Sequence, residues 1–343
     1  MTRSLSTRVD VLRSGARLTS LQYSSAPSII ADAGGEIKTS LSVTCLDNPL
    51  IHWLTDRLRP VVIIDGTEYP LGLFVPSTFS RSRGEGGQTV QVEAYDLGYL
   101  LTQAKTETIL HLAAGTGYIN AIRSLLAAVG ISAYQIAPSA ATLSTDREDW
   151  EVGTPYLTIV NQLLGEINYR DVWFDASGIA VLEPAADPSA AAIDHTYDAT
   201  TASSVTHRDL STTTDLFDVP NVFIVLCSNP DYDAPMCAVA ENTAAQSQLS
   251  IASRGMRIPQ VYQVDNIASP DELQAYADRL RDQSLLTTEE TTIRTAIMPG
   301  HGIYDVVALR HPDASGIYLE VGWEIRLAAG EYMTHRLRKV VHA

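Results

Sequence analysis

Four groups of residues carry side chains able to do chemistry. In VQVEAYDLGYLLTQ (90–103), Glu93, Tyr95, Asp96 and Tyr99 set carboxylates beside phenols, groups that exchange protons. AGTGYIN (114–120) follows the strand-like TILHL and precedes a helical run, the setting of a phosphate-cradling loop. DREDWE (146–151) gathers Asp146, Glu148, Asp149 and Glu151, and glycosidases work with two carboxylates across a cleft. Eight histidines and three cysteines are the remaining candidates for metal or nucleophile chemistry.

None of these completes a catalytic pattern. In AGTGYIN the third glycine position is Asn120, no Lys-Ser/Thr pair follows, and no parallel βαβ series surrounds it, so a glycine-flanked helix start explains it better than a nucleotide. Neighbouring carboxylates in a loop point in different directions, which makes DREDWE an exposed acidic turn. There is no HExxH, and no histidine pair has helical metal spacing. His301 and His311 bracket YDVVALR (304–310) and would lie at opposite ends of a strand, too far apart to share a metal. No GxSxG elbow is present. Cys45 falls on the apolar face of an alternating stretch, a poor place for a nucleophile. Cys227 and Cys237 flank SNPDYDAPM and could face each other across a hairpin, although small buried thiols are common in sheets. No catalytic, cofactor-binding or metal-ligating residue is assigned, and no enzyme activity or cofactor is expected. A site assembled only in three dimensions escapes a search along the chain.

The elements that would position these residues fall into three stretches. Residues 5–100 alternate at period two in RVDVL (8–12), EIKTSLSVTCL (36–46) and QTVQVEAY (88–95), with turns at Ser14-Gly15, Gly34-Gly35, Asp65-Gly66 and RSRGEGGQ (81–88). Such spacing predicts a small sandwich or barrel. Residues 101–190 change period: a helix over 116–130 with Thr116 as N-cap and Gly130 at C′, a second over 154–167 with Thr154 as N-cap and Pro155 at N1, then a hairpin over 171–184. Strands return after 191, at 220–227, 236–241, 257–265, 291–297, 304–310, 318–328 and 332–341. One helix interrupts them at 269–286, opened by the capping box Ser269–Pro270–Glu272. The Ala/Asp/Thr-rich stretch 185–204 reads as the connection between the last two stretches.

The 343 residues exceed one small core and predict two or three domains, and the 45% hydrophobic content is that of a globular chain. The longest apolar runs, VVII (61–64) and FIVLC (223–227), fall far short of the ~20 residues of a membrane span. The N-terminus lacks the apolar core of a signal peptide, so folding in a cytoplasm is expected, in keeping with the low cysteine usage. A net charge of −16 with three lysines (Lys38, Lys105, Lys339) and no basic run argues against tight nucleic-acid binding. Acidity for solubility explains the charge, and so does a surface that DNA passes without sticking.

The order of these parts, with several phrases, resembles the baseplate hub proteins of long-tailed bacteriophages and related contractile injection systems. VQVEAYDLGYLL (90–101) resembles the strand of the first barrel that runs into a short helix. GTGYINAIRSLLAAVG (115–130) and the run from Gly153 to Pro184 resemble the insert's helices and hairpin. NVFIVLC (221–227), CAVAENTA (237–244), the helix 269–286 and the run 304–327 resemble the last barrel. The resemblance spans about residues 5–341 and lies in the order of parts rather than in any diagnostic signature. It implies a mainly β chain with an α+β insert: a first β-barrel domain (1–103), an α/β domain (104–190) and a second β-barrel domain (191–343) containing the helix 269–286. It further implies a homotrimer whose six barrels form a ring in the virion tail. The ring's partners would be the tail tube or distal tail protein, a central spike or fibre protein and the tape-measure protein, with DNA present only in transit and no stable membrane insertion. No fused spike or hydrolase domain is evident. Two other classes remain, a carbohydrate-binding tail adhesin using exposed Trp53, Trp150 or Trp173, and a tail-associated cell-wall hydrolase.

Overall fold

Alternation near the N-terminus becomes strand. The computed structural model of the chain describes residues 3–84, 87–201, 204–214, 219–227, 235–245, 247–264, 266–267, 269–287 and 289–340. The first region gives β1 (Leu5–Arg13), β2 (Ala16–Ser20), β3 (Ser28–Asp32), β4 (Thr39–Leu46), β5 (Arg57–Ile64), β6 (Thr67–Pro70), β7 (Val75–Gly84) and β8 (Gly87–Tyr95). Ser14-Gly15 has φ of 50° and 80°, and Asp65-Gly66 has 50° and 85°. These are the paired left-handed residues a two-residue hairpin requires, and they join β1 to β2 and β5 to β6.

The middle region gives α1 (Gly98–Gln103), β9 (Leu110–Leu112), α2 (Tyr118–Ala128), β10 (Tyr134–Ile136), β11 (Arg147–Trp150), α3 (Tyr156–Glu166), β12 (Trp173–Phe174) and β13 (Ala180–Leu182). Ile122 and Leu126 of α2 meet Ile159, Val160 and Leu163 of α3 in a core of their own. Each such fully buried side chain stabilises the fold by about 1.5–3 kcal/mol relative to exposure. Both helices start later than the sequence predicts: the N-caps are Gly117 and Pro155, not Thr116 and Thr154, and neither makes a side-chain cap bond. The Thr154 hydroxyl instead donates to the Glu151 carbonyl. Gly130 takes the expected left-handed C′ conformation, at φ 80°.

The last region gives β14 (His195–Asp198), β15 (Thr206–Thr214), β16 (Val222–Cys227), β17 (Met236–Glu241), α4 (Ile251–Arg254), β18 (Pro259–Val264), α5 (Pro270–Thr287), β19 (Glu289–Ala296), β20 (Val306–Arg310), β21 (Ser315–Arg326) and β22 (Tyr332–Lys339). Ser269 caps α5 as expected: its hydroxyl accepts from the Glu272 N–H, the forward half of a capping box. β14 and β15 are not legible in the sequence. HTYD is short and polar and pairs in parallel with β20, and THRDLSTTT is a largely exposed edge strand with no apolar alternation.

The chain is mainly β. A four-stranded sheet runs β2-β1-β5-β6, and a small sheet runs β17-β16-β18 with α5 across one face. The largest sheet has ten strands. Its path is β15-β19-β22-β21-β3-β4-β8-β7, and β20 and β14 attach at β21. Residues from both the first and the last stretch contribute: β3 pairs antiparallel with β21, Ser28 opposite Arg326 and Asp32 opposite Gly322. The core follows the same seam. Val9, Leu58 and Val62 of the four-stranded sheet pack with Leu41, Val43 and Val92, and with Trp323, Ile325 and Met333 from the far end of the chain. No helix among the described residues is long and apolar enough to cross a membrane.

Candidate functional site

The structure separates the residues singled out above. Asp96 is buried at the exit of β8, where one carboxylate oxygen accepts from the Gly98 N–H at 2.8 Å and the other from the Thr39 N–H at 2.8 Å. The sequence also suggests Asp96 as the cap of α1; the N-cap position is instead Leu97, without a side-chain cap bond, and Asp96 ties the first residue of the helix to the start of β4. Burial pushes its carboxyl up to about 6 against the pull of these two donors and of Lys38. Glu93 accepts from the Ser42 hydroxyl, and Tyr95 stacks on Tyr99 with ring centroids 6.0 Å apart. The group is a junction, with both Asp96 oxygens and one Glu93 oxygen held by neighbouring strands and the helix start.

DREDWE forms β11, a strand paired with β9, and not an exposed turn. Arg147 is buried, pairs with Glu166 of α3 and lies 4.1 Å from the Trp150 ring, while Tyr118 donates to the same Glu166 at 2.9 Å. The Asp146 carboxylate accepts from the Ala114 N–H, so the acidic stretch secures the AGTGYIN loop. The side chains of Glu148 and Asp149 lie outside the described residues. Trp53 and Trp150 are buried and Trp173 packs against the central core, which removes them as sugar-stacking platforms. Burial pushes the Cys45 thiol up to about 11. Cys227 stands opposite Met236 and Cys237 opposite Leu226, so the two thiols occupy opposite faces of the sheet and do not pair. The loop 228–234 between them lies outside the described residues.

One polar centre is assembled only by the fold. Glu320 of β21 is fully buried, and its two carboxylate oxygens meet His301 Nδ1 at 2.5 Å and His335 Nδ1 at 2.6 Å. Tyr197 of β14 meets His301 Nε2 at 2.5 Å, and Thr295 of β19 meets His335 Nε2 at 2.8 Å. His195 stacks on His301 at 3.7 Å between ring centroids and reaches Asp305 at 3.1 Å. Burial works against the Glu320 carboxylate, but the two imidazoles outweigh it and hold its pKa below the usual range. Burial holds His335 below the usual imidazole value against the pull of Glu320, and the hydrogen bond to Asp305 raises His195.

The loop carrying His301 is fixed at both ends of its turn. Asp305 accepts from the Gly302 N–H, and the Tyr304 N–H donates to the Glu320 carbonyl. Tyr304 sits at φ 76°, a strained conformation for a bulky residue. His311, the other histidine bracketing β20, lies apart and hydrogen-bonds the Arg208 carbonyl. A faint signal for this centre does exist in the sequence. His335 falls between buried Met333 and Leu337, and Glu320 falls two residues after buried Tyr318, polar types at core phase.

β7 and β15 end the path of the large sheet, with no strand on their outer sides among the described residues, and Ser80–Gly84 are exposed. The tip of the β7–β8 hairpin, residues 85–86, lies outside the described residues. On the face of the small sheet opposite α5, Val239, Ile224 and Val261 stand side by side in register, with Val239 44% and Val261 53% exposed. A groove of about 1070 Å³ separates the insert from the last region and is lined by Asn161, Arg170, Asp282 and Arg338 among others.

No family model matches the chain, and no curated protein matches it by sequence. Solved structures do. The tail protein from Neisseria meningitidis MC58 superposes with a TM-score of 0.72 at 14% identity, covering 97% of each chain. The 43 kDa tail protein of prophage MuSo2 from Shewanella oneidensis gives 0.68 at 10% identity, over 97% of this chain and 98% of that one. The E. coli c3393 protein, a type VI secretion component with structural similarity to T4 bacteriophage tail proteins gp27 and gp5, gives 0.53 at 12% identity, over 99% of this chain and 74% of that one. The chain has the fold of these tail proteins.

Proposed function

We propose that the chain is a structural baseplate hub of a phage tail. In this reading residues 1–103 and 191–343 act as two small β-barrel units joined by the insert 104–190. Three copies place six such units in a ring, which matches a six-fold tail tube or distal tail protein on one side and a three-fold spike or fibre on the other. The tape-measure protein would end against it, and DNA would leave through its lumen. Closure is the physical demand: a ring whose interfaces do not close leaves sticky surface behind.

The observation that carries the reading is the likeness to tail proteins over nearly the whole length of both chains. Two features of the surface support it. Unpaired strand edges extend readily across subunits, and the Val239–Ile224–Val261 row is apolar surface that no described part of the chain covers. The net charge of −16 suits a lumen through which DNA slides without adsorbing.

Mass in solution by light scattering, with particle images, tests the proposal. A trimeric ring, alone or on contact with tube protein, is expected. A chain that stays monomeric with tube and spike proteins present refutes it. A neutral or basic channel in the imaged ring would refute the role given to the charge.

A further inference from the structure

The Glu320 centre poses a proton-counting problem. Thr295 Oγ1 lies 2.8 Å from the Ala296 carbonyl and 2.8 Å from His335 Nε2. A hydroxyl has one proton and a carbonyl can only accept, so the Thr295 proton goes to Ala296. His335 Nε2 must then carry a hydrogen and donate to Thr295. For a neutral ring that leaves His335 Nδ1 as a lone pair, facing a carboxylate oxygen at 2.6 Å. Two acceptors at that distance repel unless a proton or a metal cation lies between them.

We propose that His301, His335 and Glu320 form a closed structural site for a divalent transition ion of the zinc class. Two imidazole nitrogens and one carboxylate, buried and with ligand atoms within 4.8 Å of one another, form a donor set that suits this ion, four-coordinate when the carboxylate binds through both oxygens. The ion would sit on the lone pair of each Nδ1. Each ring then keeps its hydrogen on Nε2, donated to Tyr197 on one side and to Thr295 on the other, and Thr295 passes its own to Ala296. Hydroxyl partners on the outer nitrogens of both rings are what a metal-binding histidine requires for orientation. The charge balance agrees. Among the described residues no lysine or arginine lies within ion-pair distance of Glu320 or Asp305, so their negative charge is met only by imidazoles. The ligands come from β21, β22 and the loop before β20, so the ion would pin that loop, strained at Tyr304, to two strands of the large sheet.

The test begins with the whole chain made without a histidine tag. Elemental analysis is expected to find about one zinc-class ion per chain. Stripping with a chelator in mild denaturant should lower the melting temperature, and one equivalent of zinc should restore it. Refolding with cobalt should give the visible bands of a four-coordinate ion. Thr295→Val, which leaves all three ligands but frees the outer nitrogen of His335, should weaken zinc affinity by about 10–100-fold. Glu320→Gln should lose the ion. Protein that holds no transition metal as purified, takes up none on refolding with zinc and melts unchanged overturns the proposal, and a shared proton then fills the role. Because wild-type protein gives that answer, a variant that fails to fold does not protect the idea.

Discussion

Asp96 is held by two backbone donors, yet its carboxyl titrates near 6 because burial outweighs them. The unfolded value is near 4, so between these values the folded state binds the extra proton. Stability from this group is therefore present at low pH and is lost as pH rises through about 6, by about 3 kcal/mol over the window. Asp96→Asn does not titrate. Its urea midpoint should lie furthest below wild type near pH 4 and approach it by pH 7; a constant gap would contradict the account.

Asp10 has the opposite sign. Burial opposes its ionisation, but hydrogen bonds from Arg8 and Ser20, and the nearby charge of Arg17, overcome it and lower its pKa. Its contribution is present above the unfolded value and disappears as pH falls through the folded one. Asp10→Asn should cost on the order of 2 kcal/mol at pH 7, since the arginines keep some contact with water, and the cost should shrink in acid. At this scale the sequence was legible where a residue acts on its neighbours, as Asp96 does on Gly98. Glu320 meets His335 and His301 from 15 and 19 residues away, and His301 meets Tyr197 from 104, pairings that could not be read from spacing.

Elements carry the assembly predictions. Val261→Asp places a carboxylate in the exposed apolar row of the small sheet without touching the face that packs on α5. If the row lies in the interface of the proposed trimer, the change should leave circular dichroism and melting unchanged and abolish that trimer in light scattering. An intact trimer would remove this face from the interface. Deletion of residues 83–87 shortens the β7–β8 hairpin beyond the packed part of the sheet, so the isolated chain should fold while tail assembly fails. Normal assembly would show that the hairpin reaches no neighbour. Helices and strands with clear periodicity were legible, because burial of one face sets their pattern. α5 falls within one residue of expectation at each end, and β17 matches 236–241. β14, β15 and β11 were not, since short polar strands owe their existence to the partner they pair with rather than to their own sequence.

At the scale of the whole molecule, the seam between β3 and β21 governs behaviour. Alternation along a strand says which face is buried and is silent on which distant strand lies beside it. The ten-stranded sheet thus lay beyond what the sequence could convey, even where its strands were evident. The seam has a consequence for synthesis. β3 leaves the ribosome early, but its partner follows nearly three hundred residues later, and until then one margin of the nascent sheet has nothing to pair with. The insert, with its own core, can settle on the way; the large sheet cannot. Folding should therefore be slow and finish only after release, and a chain arrested before β21 should expose that margin and aggregate. Completeness is thereby a condition of solubility, since only the finished chain can cover that margin.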